Sequence, residues 1–248
     1  MSGEEGVTAR LRLDGRICVV TGGARGIGAA IASWLDGLGG RCVIADVGCD
    51  SGEEHLGRYR LDVTDSAAIA AMLDDVVERH GRIDVMVTSA GIAAHGSSLE
   101  LRDESWERVL AVNATGTFTA AREAIRRMGP GGSVVCIGSM SGVIANVPQR
   151  QTAYNASKAA VHAIVRSLGV EFAAAGIRVN AVAPGYIETE MTATGVPSDW
   201  LSDWRLRTPM ARMGSPEEVA GVVGFLASDV SSYMTGTTVI VDGGYTAV

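Results

Sequence analysis

Short apolar runs alternate with longer stretches of helical periodicity along almost the whole chain. Each apolar run continues without regular polar interruptions, which is typical of strands buried on both faces of a parallel sheet. The predicted strands are residues 16–22, 41–47, 57–63, 82–91, 132–139, 177–185 and 237–244, of which 57–63 has the weakest pattern. The predicted helices are residues 26–38, 65–80, 103–128, 152–175 and 215–228.

The alternation of strands and helices predicts an α/β fold with a doubly wound, mostly seven-stranded parallel sheet. No repeat, low-complexity tract or change of composition marks a second domain, so we expect a single Rossmann-type domain over residues 1–248. The irregular stretch 186–214 contains two prolines and two tryptophans, Trp200 and Trp204. Loops of this length in a compact domain are usually functional, and we predict that this one forms a substrate lid.

Composition and charge narrow the class of partner. Hydrophobic residues make up 47% and charged residues 20% of the chain, which is typical of a folded globular protein. The net charge of −7 and the lack of Lys/Arg clusters argue against nucleic acid as a partner. The four cysteines lack metal-ligand spacing, so we expect reduced cysteines and no metal site.

The N-terminal stretch MSGEEGVTAR is polar and acidic, without the apolar core of a secretory signal. No uninterrupted apolar run reaches the ~18 residues that a membrane helix needs. We therefore expect a cytoplasmic protein that has no membrane partner.

The glycine-rich stretch TGGARGIG, residues 21–28, lies between the first predicted strand and the first predicted helix. Gly22, Gly26 and Gly28 would allow a tight turn and a close approach to a pyrophosphate, which would bind the amides at the helix start. Alone, three glycines are weak evidence, because any tight strand-to-helix turn can contain them. Their place between strand and helix, about 20 residues before an acid at the end of the second strand, predicts a dinucleotide site.

Two residues bear on which dinucleotide binds. Asp46, at the end of the second strand, can accept hydrogen bonds from both adenosine ribose hydroxyls and would repel a 2′-phosphate. Arg25, in the glycine loop, could instead pair with a 2′-phosphate. We give Asp46 more weight, because burying an anion beside a phosphate costs more than a flexible surface arginine gains. The sequence therefore favours NAD over NADP, with a solvated turn aspartate as the alternative reading of Asp46.

The stretch TAYNASKAA, residues 152–160, sets Tyr154 and Lys158 four positions apart in a predicted helix, so their side chains share one face. Taken alone, the pair is explained more simply as a core tyrosine beside an unrelated surface lysine. Oxidation of an alcohol, however, requires a base, and a nearby ammonium group together with a positive nicotinamide ring would favour the phenolate. A lowering of the tyrosine pKa by ~2–3 units is plausible in a closed site. The second interpretation therefore makes Tyr154 a base whose pKa Lys158 lowers.

With the glycine loop and the Tyr-x-x-x-Lys pair both present, the chain resembles the short-chain dehydrogenase/reductase family over essentially its whole length. Further matching segments occur in the family's order: LDVTD (61–65), TSAG (88–91), VNATGTF (112–118), IGSMSG (137–142) and APGYIETEM (183–191). The cofactor-binding residues that the resemblance implies are Gly22, Arg25, Gly26, Ile27, Gly28, Asp46, Asp62, Val63, Ser89, Ala90, Gly91, Tyr154, Lys158, Pro184, Gly185, Ile187 and Thr189.

The resemblance also implies four catalytic residues, which are Ser139, Tyr154, Lys158 and Asn113. Ser139 fits the family pattern of a serine followed by two residues and a glycine, and Ser141 is the alternative. By this resemblance Ser139 holds the substrate oxygen, Lys158 also binds the nicotinamide ribose, and Asn113 holds a water that relays protons.

Two departures from the family pattern concern the cofactor pocket. Thr88 and Ser89 replace the usual asparagine pair, which leaves hydroxyl groups where the family has amides. The short, acidic segment between Asp46 and Asp62 leaves little room for a full crossover helix, so we expect an open adenosine side.

Small polar side chains between the catalytic serine and tyrosine indicate the substrate class. Ser141, Asn146, Gln149 and Gln151 offer hydrogen bonds to several substrate hydroxyls, and with the VDGGYTAV ending they resemble the polyol and sugar-alcohol dehydrogenase branch. The candidate substrate-binding residues are Ser139, Ser141, Asn146 and Tyr154. We predict reversible NAD-linked oxidation of a small secondary alcohol, and the resemblance implies a homotetramer.

Two alternatives stay open. An NADPH-dependent 3-oxoacyl thioester reductase would need a basic patch for its acidic carrier, which the net charge of −7 does not favour. A catalytically silent dinucleotide-sensing protein on the same fold would be free to lose its catalytic side chains, yet all four are present. The histidines lack metal-ligand spacing, and for His162 packing is favoured over catalysis.

Overall fold

The computed structural model describes residues 3–50, 57–193 and 196–248. In these ranges one parallel sheet of seven strands runs in the order β3-β2-β1-β4-β5-β6-β7. The strands are β1 (Ile17–Thr21), β2 (Arg41–Asp46), β3 (Arg58–Arg60), β4 (Val85–Thr88), β5 (Ser133–Ile137), β6 (Arg178–Pro184) and β7 (Thr238–Val241). The predicted doubly wound seven-stranded sheet is confirmed.

The strand order reverses beside β1, which pairs with β2 on one side and β4 on the other. Thr21, the last residue of β1, is in register with Ala45 of β2 and with Thr88 of β4. The carboxyl ends of the central strands therefore meet at one edge of the sheet. In open α/β sheets, ligands bind in the crevice at such a switch point.

Helices cover both faces of the sheet and enclose two apolar cores in the described part of the chain. The helices are α1 (Gly3–Leu11), α2 (Gly26–Gly37), α3 (Ser66–His80), α4 (Asp103–Leu110), α5 (Thr117–Ile125), α6 (Thr152–Glu171), α7 (Glu190–Ala193), α8 (Ser198–Arg207) and α9 (Pro216–Ala227). One core joins α3, α5 and α6 to the sheet, through residues such as Leu73, Ala120 and Val165. The other joins α2 and α9 to the opposite face, through Ile31 and Val223. The predicted layered architecture follows from these two cores.

The structure corrects three details of the predicted elements. The predicted helix 103–128 is broken by a π-helical turn, Ala111–Gly116, between α4 and α5. The stretch 186–214, predicted to be irregular, contains the helices α7 and α8. The N-terminal stretch forms α1, which the polar sequence did not predict, and Arg10 anchors it by donating to the Asp229 carbonyl at 2.8 Å.

Other expectations meet the structure only in part. Residues 51–56, within the segment predicted to be too short for a crossover helix, lie outside the described residues. Within the described ranges, every helix is too short or too polar to span a lipid bilayer. Cys18, Cys42 and Cys136 are free thiols within the described part of the chain.

Candidate active site

The glycine loop joins the end of β1 to the start of α2. Gly22 has φ +67°, and a Cβ there would lie 2.6 Å from the Ala90 backbone nitrogen. A Cβ on Gly28 would lie 2.0 Å from the Gly22 carbonyl oxygen. Both positions therefore require glycine, because the backbones of the loop, the helix and the segment after β4 are in close contact.

The start of α2 is suited to an anion. The helix has no acidic residue in its first turn, and the Arg25 side chain does not cap it. Gly26, at φ +54°, faces Thr189, whose Cγ2 lies 3.7 Å from the position of a Cβ. The helix N-terminus thus lies next to the Thr189 side chain, and its free amide donors fit a pyrophosphate. The residues present here fit a dinucleotide.

Asp46 ends β2 beside the glycine loop. Its carboxylate accepts a hydrogen bond from the Ala24 amide at 3.2 Å and another from the Gly48 amide at 2.9 Å. The side chain is half-buried, whereas Arg25 is exposed. The structure therefore holds a carboxylate in a fixed position next to the loop, as the sequence predicted.

The predicted adenine-side residues Asp62 and Val63 follow β3. Hydrogen bonds from the amide and hydroxyl of Thr64 lower the pKa of Asp62, and Arg108 adds an ion pair at 3.2 Å. Val63 is buried against Gly116, where a Cβ would lie 2.8 Å from the valine Cγ2. The Asp62 carboxylate is thus engaged within the protein.

The segment after β4 brings Ser89, Ala90 and Gly91 to the crevice. A Cβ on Gly91 would lie 3.4 Å from Asn113 Oδ1 and 3.7 Å from Lys158 Nζ. The preceding Thr88 is buried, and its hydroxyl has no hydrogen-bond partner in the described part of the chain.

Ser139 follows β5 and is placed beside Tyr154. Its buried hydroxyl accepts a hydrogen bond from the Ser141 amide at 3.1 Å, which caps the 3₁₀ turn Met140–Gly142. The Ser141 hydroxyl instead accepts from Gln151 Nε2 at 3.2 Å. Of the two candidate serines, Ser139 is the one whose hydrogen bond acts on the Tyr154 phenol.

Tyr154 and Lys158 lie one turn apart in α6, with the ammonium 5.7 Å from the phenol ring centroid. Lys158 Nζ donates to the Ile137 carbonyl at 2.7 Å. Burial lowers the pKa of Lys158 to about 8. The expected lowering of the Tyr154 pKa is not found, because burial raises this pKa and the hydrogen bond with Ser139 only partly opposes it. For both Tyr154 and Lys158, the loss of hydration on burial is therefore the largest cause of the pKa shift.

The π-helical turn carries Asn113 to the site. Its Oδ1 accepts from the Ile92 amide at 2.9 Å, and its Nδ2 donates to the Ile92 carbonyl and to Ser157 Oγ, also at 2.9 Å. Each polar atom of the side chain is thus engaged. π-Turns inside helices occur frequently at functional sites.

The turn after β6 closes the opposite side of the crevice. Pro184 ends the strand, and a Cβ on Gly185 would lie 2.7 Å from the Asp242 Cα. Ile187 is buried and forms an isolated parallel bridge with Gly214. This turn therefore holds the predicted cofactor residues against the catalytic side of the sheet.

A cavity lies between the catalytic side chains and the segment that follows β6. It contains Ser139, Ser141 and Tyr154, which the sequence predicted, and also side chains that were not predicted as site residues. Gly185 and Ile187, which the sequence predicted as cofactor residues, also line it, as do Gln149 and Gln151, which the sequence indicated as partners for substrate hydroxyls. The remaining lining residues are Ala93, His95, Met140, Tyr186, Thr192, Val196 and Trp204. Tyr186 lies within the APGYIETEM segment, which was the available signal for it; His95 had none.

The predicted substrate residue Asn146 is not part of this lining. It is buried behind the cavity wall, where its Nδ2 donates to the Tyr186 hydroxyl at 3.2 Å and its Oδ1 accepts from Gln151 Nε2 at 3.0 Å. Asn146 therefore supports two residues of the wall and does not face the cavity.

Comparison with known proteins agrees with this geometry. A family model described as enoyl-(acyl carrier protein) reductase matches residues 22–246. The galactitol 2-dehydrogenase (L-tagatose-forming) of Cereibacter sphaeroides is 42% identical over 246 residues, covering 95% of this chain and 96% of the relative. The cis-4-hydroxycyclohexanecarboxylate dehydrogenase of Sinomonas cyclohexanicum is also 42% identical over 246 residues, covering 94% and 97%.

Among solved structures, that of gox2181 superposes with a TM-score of 0.90 at 41% identity and covers 96% of this chain and 98% of its own. The match extends over the sheet, the glycine loop and the catalytic segments together. The resemblance noted in the sequence is thereby confirmed. The chain belongs to the short-chain dehydrogenase/reductase family, whose members are oxidoreductases that use a nicotinamide cofactor.

Proposed function

We propose that the protein catalyses the reversible, NAD-linked oxidation of a secondary alcohol, and that its substrate is a polyol or sugar. The observation that carries this proposal is the meeting of the Ser139 and Tyr154 hydroxyls in one cavity, with Lys158 one turn below. When bound, a nicotinamide would supply the acceptor for the carbinol hydrogen and its electron pair, and Tyr154 would take the proton of the substrate hydroxyl. The products are a ketone, a reduced nicotinamide and a proton.

Each catalytic side chain has a role that its surroundings support. Ser139 donates a hydrogen bond to the substrate oxygen as negative charge develops there. Tyr154 takes the proton, and Lys158 stabilises the resulting phenolate by its charge. Asn113 orders the segment at Ile92 and lies beside Gly91 and the lysine ammonium, which supports its role in the proton relay.

The nature of the cavity supports a small neutral substrate. Its described lining residues include no Asp, Glu, Lys or Arg side chain. The galactitol dehydrogenase relative acts on a neutral polyol, as its name states. An acyl thioester on an acidic carrier would instead require cationic side chains at the mouth. The neutral lining therefore favours the polyol over the thioester alternative.

The position of Asp46 supports NAD over NADP. Its carboxylate is held by two backbone amides at the end of β2, where a 2′-phosphate would place a second negative charge. The exposed Arg25 offers a compensating cation that is free to move. The fixed carboxylate of Asp46 therefore disfavours a 2′-phosphate more strongly than the flexible Arg25 favours it.

The test is the absorbance of the reduced nicotinamide with NAD⁺ or NADP⁺, for galactitol and for a 3-hydroxyacyl thioester. We expect turnover of galactitol with NAD⁺ and loss of turnover in Tyr154→Phe. Asp46→Asn should lower the ratio of kcat/KM with NAD⁺ to kcat/KM with NADP⁺ by about tenfold, which corresponds to ~1.4 kcal/mol. Arg25→Ala should leave this ratio unchanged. Turnover of the thioester with NADPH alone would overturn both the substrate and the cofactor assignments.

We also propose that the single domain works as a homotetramer, as the family resemblance implies. Apolar side chains on its surface support this proposal, because Val170 of α6 and Ile240 of the edge strand β7 are 79% and 42% exposed. Light scattering of the purified protein measures the mass directly. A monomeric mass would exclude the tetramer and leave the proposed activity untouched.

A further inference from the structure

Four aromatic side chains pack in a continuous row beside the cavity, and three of them, Tyr186, Trp204 and His95, contribute to its lining. Tyr186 and Trp204 are stacked, with centroids 4.1 Å apart and an interplanar angle of 6°. Trp200 lies 6.4 Å from Trp204, and His95 meets Trp200 edge-on at 5.7 Å. We call these four residues the aromatic wall. It joins the segment after β4, helix α8 and the turn after β6.

The polar atoms of the aromatic wall are turned into the protein. Gln149 donates to the Tyr186 hydroxyl at 2.9 Å and accepts from the Trp204 indole nitrogen at 3.0 Å. Asn146 donates to the same tyrosine hydroxyl at 3.2 Å, so both lone pairs of that oxygen are used. The half-buried Tyr186 therefore presents carbon surface to a ligand, while Trp204, only 3% exposed, is stacked against it as a buried support.

The amides between Ser139 and Tyr154 are also largely engaged within the protein. Gln151 Nε2 lies within 3.2 Å of three acceptors, on Ser141, Asn146 and Asn155. An open-chain polyol exposes hydroxyls on every side, and each buried hydroxyl left unpaired costs roughly 1–3 kcal/mol. The cavity offers too few free partners to satisfy them all.

We propose that the aromatic wall binds the C–H face of a ring, so that the substrate class is a neutral cyclic alcohol, either a sugar in its closed form or a polyhydroxylated cyclohexane. In such a ring the C–H bonds form one apolar face and the hydroxyls lie at the rim. The face buries apolar area against Tyr186, which Trp204 supports from within the protein, while one rim hydroxyl reaches Ser139 and Tyr154. This proposal rests on the proposed function and narrows its substrate.

The charge of the site agrees with a neutral ring. The cavity lining has no formally charged side chain among its described residues, and partial burial lowers the pKa of His95, which keeps its imidazole uncharged near pH 7. A ring that bears a carboxylate would lose its hydration without gaining a cation as partner. Neutral rings are therefore favoured over acidic ones.

The first experiment compares ring and open-chain alcohols in the full-length enzyme with NAD⁺. The ring alcohols are myo-inositol and methyl galactopyranoside, neither of which can open, and galactitol is the open-chain control. We expect kcat/KM for the better ring alcohol to exceed that for galactitol by at least about tenfold. Turnover of galactitol with neither ring alcohol accepted would overturn this proposal and leave the proposed function standing.

Variants test whether the aromatic wall makes the contact. Trp204→Phe should raise KM for the ring alcohol by about fivefold and leave kcat within about twofold, since the contact is remote from the reacting carbon. Tyr186→Leu removes the other ring of the stacked pair and should also raise KM for the ring alcohol.

Trp34→Phe is the matched control, because Trp34 lies on α2, is 42% exposed and packs against α9. Equal KM in all four proteins would contradict the proposal.

Binding without turnover gives an independent readout. Titration with each ring alcohol in the presence of NADH should quench tryptophan fluorescence saturably in the wild-type enzyme and in Trp34→Phe. The quenching should be much reduced in Trp204→Phe, whose fold is checked by circular dichroism. Absence of saturable quenching by both ring alcohols in the wild-type enzyme would overturn the proposal whether or not galactitol is oxidised.

Discussion

The catalytic side of the cavity and the aromatic wall opposite it are held in place by different kinds of contact. On the catalytic side, Lys158 is bonded to the Ile137 carbonyl and Asn113 to both backbone groups of Ile92. The aromatic wall depends on side-chain contacts, such as the bonds of Gln149 to Tyr186 and Trp204. Backbone contacts persist when neighbouring side chains change. Substitutions in the aromatic wall can therefore change the substrate specificity while the catalytic chemistry stays the same.

The largest difference between the two sides should appear in a matched pair of tyrosine variants. Tyr154→Phe removes the group that we propose takes the proton, so kcat should fall by ~10²–10⁴-fold. Tyr186→Phe removes a hydroxyl that accepts two amide donors but keeps the stacked ring, so kcat should stay within about threefold of wild type. Steady-state kinetics with saturating alcohol measures both. A comparable loss of kcat in Tyr186→Phe would show that the wall takes part in the chemistry.

A second matched pair of variants distinguishes the roles of Ser139 and Ser141, which lie in the same turn. Ser139→Ala removes the hydroxyl that acts on Tyr154 and the developing alkoxide, and kcat should fall by ~10²–10³-fold. Ser141→Ala removes an acceptor for Gln151 at 3.2 Å, and its effect should be a few-fold, mainly in KM. The measurement is the split between kcat and KM for each variant. The opposite ranking would assign the catalytic role to Ser141.

The burial of Lys158 should make stability depend on pH. Its pKa falls from 10.5 to about 8 on folding, so between these values the unfolded chain holds more protons and stability rises with pH. Below pH 8 the full cost of the buried charge is present. From pH 8 to 9.5 the free energy of unfolding of the wild-type protein should gain roughly 2 kcal/mol relative to Lys158→Met.

Denaturant titrations of the protein without added cofactor, at several pH values, measure this difference. Comparison with Lys158→Met cancels the titration of the groups that do not interact with Lys158; Cys136 does interact with it and contributes to the difference. A difference that does not change with pH would mean that the ammonium is better solvated than its surroundings indicate.

The sequence predicted the catalytic side better than the aromatic wall, and the reason is physical. Tyr154 and Lys158 lie on one helix, and the glycine loop is a single local turn, so their spacing is visible along the chain. Gln149 and Trp204 are 55 residues apart, and only the folded chain brings them together. Helix α8 was missed because its sequence, SDWLSDWRLR, alternates charged and aromatic residues and buries only Trp204.

Two expectations drawn from the local sequence pattern differ from the structure because burial determines the outcome. Asn146 was predicted to bind substrate because it is polar and close to Ser139 in sequence, yet it lies behind the wall and supports Tyr186. The Tyr154 pKa was expected to fall beside Lys158 and a bound nicotinamide ring, whereas in the protein alone burial raises it. Both outcomes depend on enclosure by distant segments, which a local motif does not contain.

The smallest expected effect tests how the wall is held. Gln149→Leu removes the donor to Tyr186 and the acceptor for the Trp204 indole, while keeping most of the side-chain volume. The Trp204 and Tyr186 rings can still stack on each other without these hydrogen bonds, so the aromatic wall should keep its arrangement but be held less rigidly. KM for the alcohol should therefore rise by about three- to tenfold with little change in kcat. Gln149→Glu keeps the acceptor for the indole and should give a smaller rise. Steady-state kinetics of both variants, with Gln151→Leu as the comparison on the catalytic side, measures the split. If Gln149→Leu lowered kcat as strongly as Ser139→Ala, the two sides of the cavity would have to be treated as one catalytic unit.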